Sequence, residues 1–176
     1  MSEGQDGPIF LVGAGRMGGA LLKGWLARGI APSRIFVQEP SPPPDSAALI
    51  SSAGIVAGTP PAMPSPPAVI VLAVKPQLMD DVLPQVAPLV GPDTVVLSIA
   101  AGRTIASLAG HLQKGAAIVR AMPNTPAAIG RGISALYANA AVRPEQARLC
   151  ESLMAVAGET VWLDDEALMD AVTAVS

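Results

Sequence analysis

Ile9-Phe10-Leu11-Val12-Gly13-Ala14-Gly15-Arg16-Met17-Gly18 is a short apolar run that enters a glycine turn and opens a helix. Ile9–Val12 has the length and character of a strand. After it, Met17, Ala20, Leu21, Trp25 and Leu26 recur at the spacing of one helix face up to Arg28. The pattern between them is G-x-G-x-x-G, in which each glycine serves a separate physical need. Gly13 allows the tight turn, Gly15 the close approach of a pyrophosphate to the backbone, and Gly18 the packing of helix on sheet. The free N–H groups of the helix start would face the phosphates. A glycine-rich turn that binds nothing is the alternative, and the strand-turn-helix setting favours the dinucleotide site.

Gly29 stops the helix, and Arg34–Gln38 (RIFVQ) reads as a second strand, completing a βαβ unit. Glu39 follows at its end, 21 residues past Gly18, where an acidic side chain accepts hydrogen bonds from an adenosine ribose. A carboxylate there repels a 2′-phosphate, which leans the reading towards NADH. Ser41 and Arg16 could still help to hold a phosphate, so the preference between NADH and NADPH stays open, as does a plain solvated charge at Glu39.

Further along, two Pro-rich surface stretches flank a helical segment near Ala47–Ser52 and a short strand at Ile55–Ala57. Val69–Val74 (VIVLAV) is an unbroken apolar run, the form of a strand buried on both faces of a parallel sheet. Lys75-Pro76 ends it, with Pro76 suited to the first turn of a helix that carries Asp80 and Asp81 early. Val95–Ile99, Ala116–Arg120 and Ile133–Ala138 read as further strands, and Thr104–Leu112 and Pro144–Ala157 as helices. A strand at Thr160–Leu163 precedes Asp164, Asp165 and Glu166, which read as the N-cap and acidic first turn of a last helix with Leu168, Ala171, Val172 and Val175 on one stripe. This alternation predicts an α/β fold with a doubly wound, mostly parallel sheet.

Composition narrows the function. Of 176 residues, 51% are hydrophobic and 14% charged, with a net charge of −3; a nucleic-acid binder would be basic, so nucleic acid is excluded as a partner. No stretch reaches the roughly 18 apolar residues of a membrane span, and Glu3 and Asp6 stand where a signal peptide would be basic, so the chain is expected to be soluble and cytoplasmic. One Cys and one His cannot build a Ser-His-Asp triad or a zinc site, so no metal is expected. His111 reads as a surface residue near a helix end, favourable to the dipole, and Cys150 as a core residue on an apolar stripe. Hydride transfer remains, because there the cofactor supplies the chemistry and the protein supplies position.

Four phrases in order, VGAGRMGGALLKG from Val12, IVLAVKPQ from Ile70, SIAAGRTIASL from Ser98 and VRAMPNTPAAIGRGISALYAN from Val119, resemble the pyrroline-5-carboxylate reductases. The resemblance runs from about Ile9 to Ser176. It implies a Rossmann-type fold and reduction of the cyclic imine Δ1-pyrroline-5-carboxylate, a small-molecule substrate, to proline with NAD(P)H. It also implies that Gly13, Ala14, Gly15, Arg16 and Met17 contact the pyrophosphate, that Ala73, Val74, Lys75 and Pro76 line the cofactor cleft, and that Ala100 and Ala101 admit the nicotinamide half. The segment Met122-Pro123-Asn124-Thr125-Pro126 resembles the loop that borders nicotinamide and substrate, which places Pro123, Asn124 and Thr125 there; a rigid Pro-bounded turn is the alternative. No residue stands out as a general acid.

Where Glu39 stands, members that prefer NADPH carry a small hydroxyl residue, so the family's cofactor preference does not transfer. The family also continues into a Gly/Ser-rich turn and a helical domain that forms the homo-oligomer and most of the imino-acid site, with Ser176 at most its first residue. On this reading, residues 1–8 are a flexible start, 9–163 the dinucleotide-binding domain, and 164–176 the start of a helix leading to a missing domain. The chain is then expected to be a piece of a longer protein. Rival readings are a dehydrogenase of the β-hydroxyacid or prephenate type and a non-catalytic NAD(P)H-sensing module.

Overall fold

The structure is a computed structural model and describes residues 7–174. Eight strands form one sheet: β1 (Ile9–Val12), β2 (Ile35–Gln38), β3 (Val56–Ala57), β4 (Val69–Leu72), β5 (Val95–Ser98), β6 (Ala117–Pro123), β7 (Gly132–Ala138) and β8 (Gly158–Trp162). Their spatial order is β3-β2-β1-β4-β5-β6-β7-β8. The first six run parallel, β7 lies antiparallel to β6, and β8 is parallel to β7. Winding reverses between β1 and β4, and the doubly wound, mostly parallel α/β expectation holds. In open sheets of this kind, ligands bind at that reversal, outside the carboxyl ends of the strands.

Among the described residues, six α-helices cover the sheet: α1 (Arg16–Ala27), α2 (Pro44–Ser52), α3 (Met79–Val86), α4 (Ile105–Ala109), α5 (Pro144–Met154) and α6 (Leu168–Ala174). Alternation along β1 divides the core. Ile9 and Leu11 join Leu21, Leu22 and Trp25 of α1 and Leu153 and Met154 of α5 on one face. Phe10 and Val12 join Met79, Leu83 and Val86 of α3 and Leu108 of α4 on the other. Every residue of β1, β2, β4 and β5 is buried, which explains why those strands read as apolar runs, broken only by Gln38 and Ser98 at their ends, rather than as alternation.

Several boundaries differ from the expectations, each for a local reason. β4 ends at Leu72, so Ala73 and Val74 are released to the sheet edge instead of sitting in the strand. β6 runs on through Met122 and Pro123 because β7 pairs with it as far as Pro123 opposite Ser134. α4 ends at Ala109, so His111 lies beyond the helix. α5 gives way to a 3-10 turn at Ala155–Ala157, and Gly158 then swings back at φ +131° to start β8 two residues earlier than expected. α2 starts inside the Pro-rich stretch, with Pro44 in its first turn.

The last helix leaves much of its apolar stripe uncovered, as a stripe without a partner would be. Met169 is its buried residue, while Leu168, at 45% exposure, and Ala171 face outward, and Val175 lies outside the described residues. The helix begins at Leu168, so Asp164, Asp165 and Glu166 precede it instead of forming its cap and first turn; Asp165 Oδ1 accepts the Ala167 N–H at 2.9 Å in a local turn two residues on. Glu166 turns away from the helix to a more demanding partner. Its Oε1 is 2.7 Å from Arg120 Nη1 and accepts the Ile105 N–H at 2.7 Å. Arg120 is 5% exposed in the middle of β6, and a buried guanidinium without a carboxylate would be strongly destabilising.

Candidate cofactor-binding site

The carboxyl ends of β1, β2 and β4 meet at the glycine turn. The Ala73 N–H donates to the Val12 carbonyl and the Gly13 N–H to the Gln38 carbonyl, each at 2.8 Å, so the three strand ends are stitched together where the chain leaves the sheet. Gly13 has φ +95°, a conformation that side chains rarely adopt. A Cβ there would stand 2.7 Å from the Ala73 carbonyl oxygen and 2.9 Å from Val74 Cγ1, so Gly13 is required by the backbone and by its neighbours alike. A Cβ on Gly18 would collide with the Gly13 carbonyl oxygen, which accounts for the third glycine by packing alone.

Gly15 is different. It caps α1 at an ordinary φ of −68°, and nothing lies within 4 Å of a Cβ built on it. Neither conformation nor packing explains a glycine here. The space in front of it is open, and no side chain caps the first N–H groups of α1. Glycine at such a position leaves the helix N-terminus bare for an anion, so the turn fits a dinucleotide pyrophosphate by its shape. Arg16 is exposed at the start of the helix and Met17 is half-buried against the core.

Glu39 closes the turn from the β2 side. Its Oε2 accepts the Ala14 N–H at 3.1 Å and its Oε1 accepts the Ser41 N–H at 3.0 Å. The structure thus brings Glu39, Ala14 and Ser41 together, and Ala14, fully buried, spends its N–H on the carboxylate. Ala73 and Val74 are half-buried at the floor, Lys75 is exposed, and Pro76 opens a 3-10 turn leading into α3. Across the cleft, Ala100 is buried and Ala101 half-buried after β5, with Ser98 Oγ accepting the Ala100 N–H at 3.4 Å.

The Met122–Pro126 segment is only partly a loop. Met122 and Pro123 belong to β6, and a 3-10 helix at Thr125–Ile129 follows, packed against α1. Asn124 between them receives the Ile133 N–H on its Oδ1 at 2.9 Å, so its side-chain oxygen closes the β6–β7 connection. Ser176, the remaining site expectation, lies outside the described residues.

Two single-residue expectations concern His111 and Cys150. His111 lies near a helix end, two residues past α4, and its Nε2 stands 3.3 Å from Asp80 Oδ1 in the first turn of α3. Asp80 is held below the ordinary carboxylate range, chiefly by its hydrogen bond to Arg103 and further by the charges of Arg103 and His111. Cys150 is a core residue as expected, and burial pushes its thiol up, away from the reactive thiolate.

Pattern reading missed Arg103 and the Arg120–Glu166 pair. For Arg120 a signal exists, since a lone cation in the run Ala117-Ile118-Val119-Arg120-Ala121-Met122 must find a buried partner. Among the described residues, no cluster of His, Cys, Asp or Glu could hold a metal ion, and no helix is long and apolar enough to cross a membrane.

Known proteins resemble this chain in sequence and fold. Residues 8–102 match the family described as NADP oxidoreductase, coenzyme F420-dependent. A pyrroline-5-carboxylate reductase of Pseudomonas aeruginosa is 39% identical over 168 residues, covering 96% of this chain and 62% of the relative. Among solved structures, a pyrroline-5-carboxylate reductase from Coxiella burnetii superposes with a TM-score of 0.88 at 30% identity, covering 97% of this chain and 64% of the other. Plasmodium falciparum pyrroline carboxylate reductase with NADP bound gives a TM-score of 0.79 at 25% identity, with 98% and 63% covered. The chain therefore spans about three fifths of the length of these relatives.

Proposed function

The chain belongs to the family of NADP oxidoreductases described as coenzyme F420-dependent, and we propose that it is the cofactor-binding part of a pyrroline-5-carboxylate reductase. The single observation that carries this is the turn at Gly13–Gly18, whose middle glycine is demanded by nothing inside the protein. The identity to a reductase along almost the whole chain gives that open turn its chemistry. When bound, the nicotinamide supplies a hydride to the imine carbon of the cyclic substrate, whose nitrogen ends protonated in the amino-acid product.

The residues present do the rest by placement. The bare N–H groups at Gly15 and Arg16 receive the pyrophosphate, Glu39 receives the adenosine ribose, and Ala73 to Pro76 with Ala100 and Ala101 form the walls between which the nicotinamide half lies. Pro123, Asn124 and Thr125 border the acceptor. Catalysis rests on holding donor and acceptor at reacting distance in a place from which water is excluded. Residues 9–163 form the dinucleotide domain, and the segment from 164 onward, which carries α6, leads to a part that completes the imino-acid site and the homo-oligomer. The whole protein is a soluble, cytoplasmic enzyme.

For the cofactor we infer NADH over NADPH. Glu39 puts its carboxylate beside Ala14 and Ser41, and a 2′-phosphate brought there would meet a negative charge with two backbone donors already engaged. A parallel fluorescence titration of the 176-residue chain with NADH and NADPH at one salt concentration, followed by imine reduction assayed on the same sample, tests this. Tighter binding of NADH with little or no turnover is expected. Absence of binding by either cofactor overturns the cleft, and steady turnover overturns the need for a completing part.

A further inference from the structure

Arg103 occupies an unusual place between two loops of the cofactor cleft. It follows Ala100-Ala101-Gly102 at the end of β5, and its side chain reaches back across the sheet edge to the loop after β4. Nε and Nη2 both donate to the Pro76 carbonyl, at 3.2 and 2.9 Å. Nη1 donates to Asp80 Oδ1 at 3.0 Å and to Ser107 Oγ at 3.3 Å, while Nη2 lies 3.0 Å from Asp80 Oδ2. The guanidinium side chain is 18% exposed, while Asp80 is 62% exposed. The Pro76 bonds are therefore the sheltered part of this arrangement and the ion pair the solvated part.

Pro76 matters because of what precedes it. Ala73 and Val74 pack directly against Gly13, within 3 Å of where a Cβ would be, so the β4 loop is seated on the glycine turn, which the Gly13 N–H ties separately to the Gln38 carbonyl. Arg103 ties the β5 loop to the β4 loop. A continuous line of contacts then runs from Gly13 through Ala73 and Val74 to Pro76, across the guanidinium to Gly102 and Ala101. Lysine could reach Asp80, but it has no planar fork with which to grip one carbonyl by two N–H groups.

We propose that Arg103 is a positioning residue for the nicotinamide half of the cofactor: its fork on the Pro76 carbonyl sets the width of the cleft between the β4 and β5 loops. This rests on the reading of those loops as cofactor walls. The pyrophosphate and adenosine subsites, built on Gly13 to Arg16 and Glu39, do not depend on it. Loss of the fork should then cost affinity for the whole dinucleotide and leave affinity for its adenine half alone.

The experiment measures binding of NADH by fluorescence and of ADP-ribose by calorimetry to the 176-residue chain, in wild type, Arg103→Met, Arg103→Lys and Asp80→Asn. Arg103→Met should weaken NADH about tenfold, the scale set by losing hydrogen bonds to a charged group, while ADP-ribose changes less than about twofold. Arg103→Lys should recover only part of the NADH affinity. Asp80→Asn, which keeps the Pro76 fork, should bind NADH nearly as wild type. Equal NADH affinity of wild type and Arg103→Met overturns the proposal, as does a parallel fall for NADH and ADP-ribose, which marks a purely structural brace. A loss in Asp80→Asn as large as in Arg103→Met overturns it too, by moving the effect to the ion pair. Wild type that binds ADP-ribose but not NADH, or neither, removes the cofactor reading itself and the proposal with it.

Discussion

The Glu39 carboxylate accepts the N–H of Ala14 at 3.1 Å, so the end of the second strand holds the glycine turn of the first across 25 residues of chain. One side chain thus shapes the turn and presents negative charge at the end of β2, where we place the ribose. Glu39→Ser is expected to move preference from NADH towards NADPH. The ratio of the two dissociation constants at fixed salt checks it, and a ratio that stays at the wild-type value refutes it. Loss of the Ala14 bond also predicts about 1 kcal/mol of lost stability, a typical net hydrogen bond.

The three glycines of the turn should separate stability from binding. Gly13→Ala forces a side chain into φ +95° and against the Ala73 carbonyl, and Gly18→Ala collides with the Gly13 carbonyl, so both should lower the unfolding free energy by about 1–3 kcal/mol. Gly15→Ala meets nothing inside the protein and should leave the melting temperature unchanged while weakening cofactor binding. Thermal melts set beside titrations decide the matter. A Gly15→Ala chain that melts early but binds normally would contradict the reading of Gly15.

Glu166→Ala leaves Arg120 buried without its carboxylate and the Ile105 N–H without its acceptor. The expected cost is about 2–4 kcal/mol, towards the lower end because the Glu166 side chain is 28% exposed. Adding Arg120→Met should restore much of this, since the uncompensated charge is gone. Urea unfolding of both single variants and the double variant measures it, and simple additivity of the two losses would sink the pairing argument.

Acid should weaken the fold through Asp80 and Glu145. Both are held below their ordinary range, Asp80 chiefly by its hydrogen bond to Arg103, and Glu145 by a backbone hydrogen bond with further help from Arg143. A carboxylate whose pKa is lower in the folded state stabilises above its unfolded value, and this is lost as pH falls through the folded value. Both groups are solvated, so the effect should be modest and should shrink in salt. Melting temperature followed from about pH 7 down to about pH 2, a range spanning both carboxylates, at two ionic strengths checks it; a rise on acidification would contradict the sign.

Much of the fold was legible in the chain because burial on both faces leaves a plain signature. Ile9–Val12, Val69–Leu72 and Val95–Leu97 are continuous apolar runs, and the glycine turn after the first marks where helix and strand must approach. The site residues near the turn were legible for the same reason, since local geometry places Gly13, Gly15 and Glu39 at one sheet edge whatever the rest of the chain does. Strand ends were less legible. Whether Ala73 and Val74 pair or escape, and whether Met122 and Pro123 are strand or loop, depends on a neighbour far away in sequence.

Sequence by itself determined the βαβ start, the alternating layers and the glycine turn, because each follows from spacing within a dozen or so residues. Tertiary structure alone decided the partners of long polar side chains. Arg103 finds the Pro76 carbonyl 27 residues back, Arg120 finds Glu166 46 residues on, and His111, just past α4, finds Asp80 in the first turn of α3. A guanidinium or imidazole is satisfied by whichever acceptor the packed sheet and helices bring within about 3 Å, and no periodicity in the chain encodes that meeting.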